Sequence, residues 1–252
     1  LATFGANQKV IASQFGAMGV TDFRKDLIAA NKEFQKLGLE GADAQKSIST
    51  LANDFGIAFS KADDMSKSVA RLSVATGMSV DDSTKLVGLF TTTQGLSGKQ
   101  AENLLLSTRQ LAKANNVAPD QVLSDIASDA ELFARFTKEG GENLLEAAVQ
   151  ARKLGINISK VAKVADGVLN FQESLNAEIE ASILLGRQVN LQKLREMSLA
   201  DDLTGLQGEL LKLVGDETEF NELNRIQKDA LARALNLEVS DIQKLVSGQR
   251  EQ

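Results

Sequence analysis

The chain lacks cysteine, histidine, tryptophan and tyrosine, and it carries one proline in 252 residues. Each gap removes a class of chemistry. Without cysteine there is neither a disulfide framework nor a thiolate metal site. Without histidine the usual general base and the commonest metal ligand are missing, so Ser/His/Asp and Cys/His nucleophilic catalysis is impossible within this chain. Without tryptophan and tyrosine, the rings that sugar- and base-stacking sites rely on are reduced to eleven phenylalanines. Proline scarcity, with abundant Ala, Leu, Lys, Glu and Gln, predicts an all-helical protein. No uncharged apolar run approaches the ~20 residues of a membrane span. Residues 86–98 lack charge, but Thr91, Thr92, Thr93 and Gln94 interrupt them. The chain opens at Leu1 without a signal-peptide pattern and reads as a piece of a longer polypeptide.

What is present is acidic overall. A net charge of −6 and a pI near 5.0 oppose tight binding to a nucleic-acid backbone, which needs clustered Lys and Arg. They leave room for weak, repulsive proximity to DNA. Lys and Arg are commoner in residues 24–71, and acids in 120–146 and 173–222, an alternation typical of solvated helix faces.

A punctuation recurs along the chain: a helical stretch, then Gly or Asn, an apolar residue, and a capping residue. It reads Gly77-Met78-Ser79, Gly95-Leu96-Ser97, Asn116-Val117-Ala118-Pro119, Gly155-Ile156-Asn157-Ile158-Ser159 and Asn236-Leu237-Glu238-Val239-Ser240. The Gly or Asn suits a left-handed C-cap, the apolar residue plugs the joint, and an oxygen caps the next helix. Ser97 with Gln100 and Ser240 with Gln243 have capping-box spacing, Asp216 with Glu219 forms another capping pair, and Pro119 fits a first helical position. The spacing is too irregular for a fixed-period repeat. These signals delimit helices near 21–37, 42–55, 58–75, 80–94, 98–115, 119–138 (broken near Ser128), 142–154, 159–185, 191–198, 199–214, 217–235 and 240–248. The expected fold is an all-α, globular multi-helix bundle of about ten or more short-to-medium helices with tight Gly/Asn–Ser-capped joints. Its expected divisions are a loosely structured helix or linker from upstream sequence (1–19), a helical segment (20–76) and a compact helical domain (77–252).

The stretch 151–203 organises this reading. Val161, Val164, Ala165, Val168, Phe171, Leu175, Ile179 and Ile183 recur at three- and four-residue steps, predicting one long amphipathic helix with a single apolar face. Ser159 and Asn190 are its expected flanking N-caps. Further on, Phe220, Leu223, Ile226, Ala230, Leu231 and Ala234 line another predicted face.

The chemistry-bearing patterns are weak. Paired carboxylates at Asp63–Asp64, Asp81–Asp82, Glu178–Glu180 and Asp201–Asp202 mostly fall in predicted first turns, where negative charge complements the helix macrodipole. Residues 95–100, Gly-Leu-Ser-Gly-Lys-Gln, resemble the end of a phosphate loop. However, Thr93 stands where the first glycine belongs, and Gln100 replaces the magnesium-binding Ser or Thr. A helix joint is the expected reading. No catalytic, cofactor-binding or metal site is assigned, and no enzyme activity is expected.

Three blocks carry a resemblance: Ala165-Asp166-Gly167 with residues 178–182, Leu185-Gly186-Arg187 with Asn190-Leu191, and Glu219-Phe220-Asn221 through Ala230-Leu231-Ala232. With the Ala75–Ser79 joint, they are similar to tail tape measure proteins of contractile-tailed phages, T-even-like and marine or cyanobacterial. The resemblance spans residues 75–252. It implies a structural virion protein in the tail lumen or tail tip, assembled in the host cytoplasm, which helps set tail length and leaves with the DNA at ejection. It also implies a homo-oligomer, trimer or hexamer, meeting tail tube and baseplate hub proteins near the viral DNA end, with no small-molecule substrate. A measuring rod is extended, whereas this segment reads as compact, so the expectation is a folded portion anchored at the baseplate end. The alternatives are a helical cell-wall-lytic module of a tape measure protein, or a helical scaffold or adaptor outside phages.

Overall fold

The computed structural model describes residues 20–248, with the side chains of 20–24 and 139 outside that description. The expected linker at 1–19 therefore lies outside the described residues. Fifteen α-helices and one 3-10 turn make up the fold, with no strand among the described residues. They are α1 (Val20–Lys36), α2 (Gly41–Asn53), α3 (Phe59–Thr76), α4 (Val80–Gln94), α5 (Gly98–Ala114), α6 (Pro119–Ala127), α7 (Ala130–Phe136) and, after the 3-10 turn Glu139–Gly141, α8 (Glu142–Lys153). There follow α9 (Ile158–Leu169), α10 (Phe171–Leu185), α11 (Gln192–Leu199), α12 (Leu203–Val214), α13 (Glu217–Glu222), α14 (Arg225–Ala234) and α15 (Val239–Gly248).

The chain is an all-α assembly of short helices, as its composition predicts, and the joints explain why the helices stop. Gly77, Gly95, Asn116, Gly155 and Asn236, one in each predicted joint, all take positive φ. Beyond three of them Ser79, Ser97 and Asn157 cap the following helix, accepting hydrogen bonds from the backbone amides of Asp82, Gln100 and Lys160. Ser97 and Gln100 cap reciprocally, as their spacing predicts. The expected Ser240 cap does not form. Glu238 occupies the N-cap, with its own amide donating to Asp241, and Ser240 lies inside the first turn. Asn157, two residues earlier than the expected Ser159, caps α9.

Two compact units result. Among the described residues the first comprises 20–110 and 119–128, so Gly77 lies within it. In it α1, α2 and α3 pack on one another, α4 packs on α2 and α3, and α6 packs on α4. Leu27, Phe34, Ile48, Leu51, Leu72, Leu86, Phe90 and Ile126 are fully buried there. Among the described residues the second unit comprises 111–118 and 129–248. Its core gathers α8, α9, α11 and α12, with Leu144, Val161, Val164, Val168, Leu194, Leu206 and Leu210 fully buried.

Two predicted helices are each two. Residues 217–235 break at Leu223-Asn224, where Asn224 and Gln227 form a capping box that starts α14. Residues 159–185 break at Asn170, whose φ of −75° and ψ of 78° leave the helical region. Asn170 is the C-cap of α9 and the N-cap of α10 at once, and its side-chain amide donates to Glu173 (2.7 Å).

Two helical glycines give opposite expectations for alanine. A Cβ on Gly88, buried in α4, would stand 2.5 Å from the Phe55 ring, whereas Gly208, exposed in α12, has nothing within 4 Å. Gly88→Ala is expected to destabilise by about 1–3 kcal/mol through overpacking, and Gly208→Ala to stabilise by about 0.5–1 kcal/mol through helix propensity. Urea unfolding followed by circular dichroism checks both signs.

Candidate docking surface

The break at Asn170 decides what α10 shows to solvent. The predicted single apolar face survives only in its first half. Val161, Val164, Ala165 and Val168 on α9 are buried, but Phe171 is 52%, Leu175 46%, Ile179 59% and Ile183 74% exposed. This corrects the reading of one continuous buried stripe. The turn at Asn170 rotates the helix, so that Ser174 and Ala181 are buried instead. Ile226 on α14, predicted to face inward, is likewise 62% exposed.

Three lengthwise strips explain how α10 is held. Ser174, Glu178 and Ser182 form a polar strip at four-residue steps. Arg195 of α11 donates to Ser174 Oγ (2.8 Å) and Glu178 Oε2 (2.5 Å). Glu178 Oε1 accepts from the Leu191 amide (3.2 Å), and Ser182 Oγ accepts from the Val189 amide (3.0 Å). The turn after Gly186, whose φ is +64°, is thereby stitched back onto the helix that precedes it. Arg195 is only 9% exposed, and its cost of burial is offset by this pairing. A second strip, Ala177 and Ala181, has small side chains, and α10 lies against α14. There Gln227 donates to the Leu184 carbonyl (3.0 Å), and Arg233 donates to Glu180 (2.8 Å). The third strip is Phe171, Leu175, Ile179 and Ile183. Gln172 and Asn176, exposed beside it, are uncharged. The acids Glu178 and Glu180, which the sequence suggests as a carboxylate pair, each pair with an arginine of a neighbouring helix, Arg195 and Arg233.

The phosphate-loop-like residues 95–100 form a helix joint, as expected. They border a cavity of about 680 Å³ that also meets Lys61, Lys67 and Arg71. Three of its four cations are held by acids of the same chain. Arg71 grips the buried Glu102 carboxylate with both Nε and Nη2 (2.9–3.2 Å), Lys99 adds a third contact (2.9 Å), and Lys67 pairs with Asp63 and Asp64. Burial pushes the Glu102 carboxyl up, but hydrogen bonds from Arg71, Lys99 and Ser68 outweigh it and hold the group below its ordinary value. Asp63 goes the other way, because burial outweighs the attraction of Lys67. Among the described residues no group of three His, Cys, Asp or Glu could hold a metal ion, and no helix is long and apolar enough to cross a membrane.

These anchors can be tested. Glu178→Ala leaves Arg195 buried without its carboxylate and is expected to cost about 2–4 kcal/mol, while Glu178→Leu combined with Arg195→Met recovers most of that loss in urea melts. Glu102 has a lowered folded pKa, so its contribution is present above its ordinary value of 4.5 and is lost as pH falls through the folded value. Glu102→Gln is expected to cost about 1–2 kcal/mol at about pH 7, discounted because Arg71 and Lys99 are partly exposed. The gap from the parent chain should close below the ordinary glutamate range, and thermal melts across that range check it.

No protein-family model, curated protein or solved structure matches the chain.

Proposed function

We propose that this chain is a structural, non-enzymatic virion protein: the folded portion of a phage tail tape measure protein. In this reading it helps set tail length, anchors at the tail tip or baseplate hub, and is released with the DNA at ejection. Its partners are copies of itself, the tail tube and the hub, and it sits near the viral DNA end. The observation that carries the reading is the exposed, uncharged face of α10, with Phe171, Leu175, Ile179 and Ile183 each at least 46% exposed. An apolar patch of this kind on an otherwise charged surface marks an assembly surface. It lies inside residues 151–203, where the sequence resemblance to tape measure proteins is densest. The packing of short helices into compact units favours an anchoring portion over an extended ruler. The net charge of −6 suits a protein that DNA must pass without sticking.

A helical adaptor outside phages would use the same face equally well, and one experiment separates the two. Electron microscopy of phage carrying an in-frame duplication of about a hundred helical residues in the encoding gene should show tails longer by roughly 150 Å, at about 1.5 Å of rise per residue. Unchanged tails on viable particles would transfer the assignment to the adaptor.

A further inference from the structure

We propose that the exposed face of α10 is a self-association surface, on which two copies of the chain pair antiparallel about a two-fold axis level with Ala177. The pairing stands on the surface alone and keeps its meaning whether or not the chain works in a tail.

The composition of the face favours a second copy as occupant. Phe171, Leu175, Ile179 and Ile183 form an unbroken ridge at four-residue steps, about 18 Å long. A ridge of that spacing interdigitates with another of the same kind. The acids nearest its middle are tied within the same chain, Glu178 to Arg195 and Glu180 to Arg233, so apposed ridges meet no free charge at their centre. Charge appears at the two ends, with opposite sign. Exposed Glu173, which accepts from the Asn170 side chain, stands near the Phe171 end, and exposed Arg187, whose Nη2 donates to the Leu213 carbonyl (2.8 Å), follows the Ile183 end. Arg225, two residues before the Gln227 that bonds Leu184, is 95% exposed at that same end, with Asp229 3.9 Å from its Nε.

Charge therefore sets the direction of the pairing. Antiparallel apposition brings each acidic end toward the partner's basic end and opposes the two helix dipoles, whereas parallel apposition sets like ends together. It also matches Leu175 with Ile179 and Phe171 with Ile183 across the axis, an isologous contact. The four exposed side chains offer roughly 450 Å² per copy, or about 900 Å² for the pair, the size of a weak, transient contact. A weak, reversible dimer with a dissociation constant on the order of 100 μM is expected. Two-fold pairing through this face is compatible with a hexamer built from dimers and incompatible with a trimer closed through it.

Sedimentation equilibrium of the full chain over about a hundredfold concentration range tests the proposal. The parent chain should move from monomer to dimer, and Ile179→Glu, at an exposed position, should stay monomeric with unchanged circular dichroism. Glu173→Arg and Arg187→Glu should each weaken the dimer by about 3–10-fold, and the two together should restore it. A parent chain that is monomeric throughout, leaving the face to a different protein, would overturn the proposal. So would a dimer that survives Ile179→Glu. Charge variants whose combination is weaker than either alone would overturn the antiparallel arrangement.

Discussion

The Glu178–Arg195 pair is the constraint on which the second unit's surface depends. A guanidinium that is 9% exposed must keep its carboxylate, and that carboxylate sits on α10. Because Ser174 joins the same cluster, the inward side of α10 is fixed by polar contacts rather than by apolar burial. Helices in a water-soluble unit ordinarily turn their large apolar side chains inward. Here two serines and a glutamate take that place, and four large apolar residues are left facing water. An apolar core face could have slipped in register; a hydrogen-bonded one has far less freedom to do so.

The first unit uses its buried charge differently. Glu102 gathers Arg71, Lys99 and Ser68 around one carboxylate at the α4–α5 joint, so the most phosphate-loop-like residues of the chain end beside an anion the protein already supplies. Three of the four cations that line this cavity are thus paired within the chain. The same residue types read from sequence alone suggest a ligand; placed in three dimensions, Lys67, Arg71 and Lys99 each meet an acid of the same chain.

Much of this architecture was legible in the sequence. The five Gly or Asn joints take the left-handed conformation that their order predicts, because few residues other than Gly and Asn tolerate it at low cost. The break near Ser128 was also readable, with Asp129 capping α7 just beyond it. The break at Asn170 was not. Its signals were a lone Asn amid helix-compatible residues and an apolar spacing that agreed on both sides of it. A finer signal was present: buried Val161, Val164, Ala165 and Val168 mix steps of three and four, as a face following 3.6 residues per turn must. Phe171, Leu175, Ile179 and Ile183 step by four throughout, drifting about 40° each time around the helix. The parallel run Ser174, Glu178, Ser182 at the same spacing competed for the inside, and only the position of Arg195, seventeen residues beyond Glu178, decided between them. Sequence periodicity does not register so distant a partner.

The tight joints have a kinetic meaning. In the first unit α1 meets α2, α2 meets α3 and α3 meets α4, so most partners are neighbours along the chain and little loop entropy is spent in bringing them together. Chains with such local wiring fold on the microsecond-to-millisecond scale. Each left-handed residue sets the direction of the next helix through its own backbone angles. Such a segment can find its shape soon after it is synthesised, without waiting for the remainder of its chain.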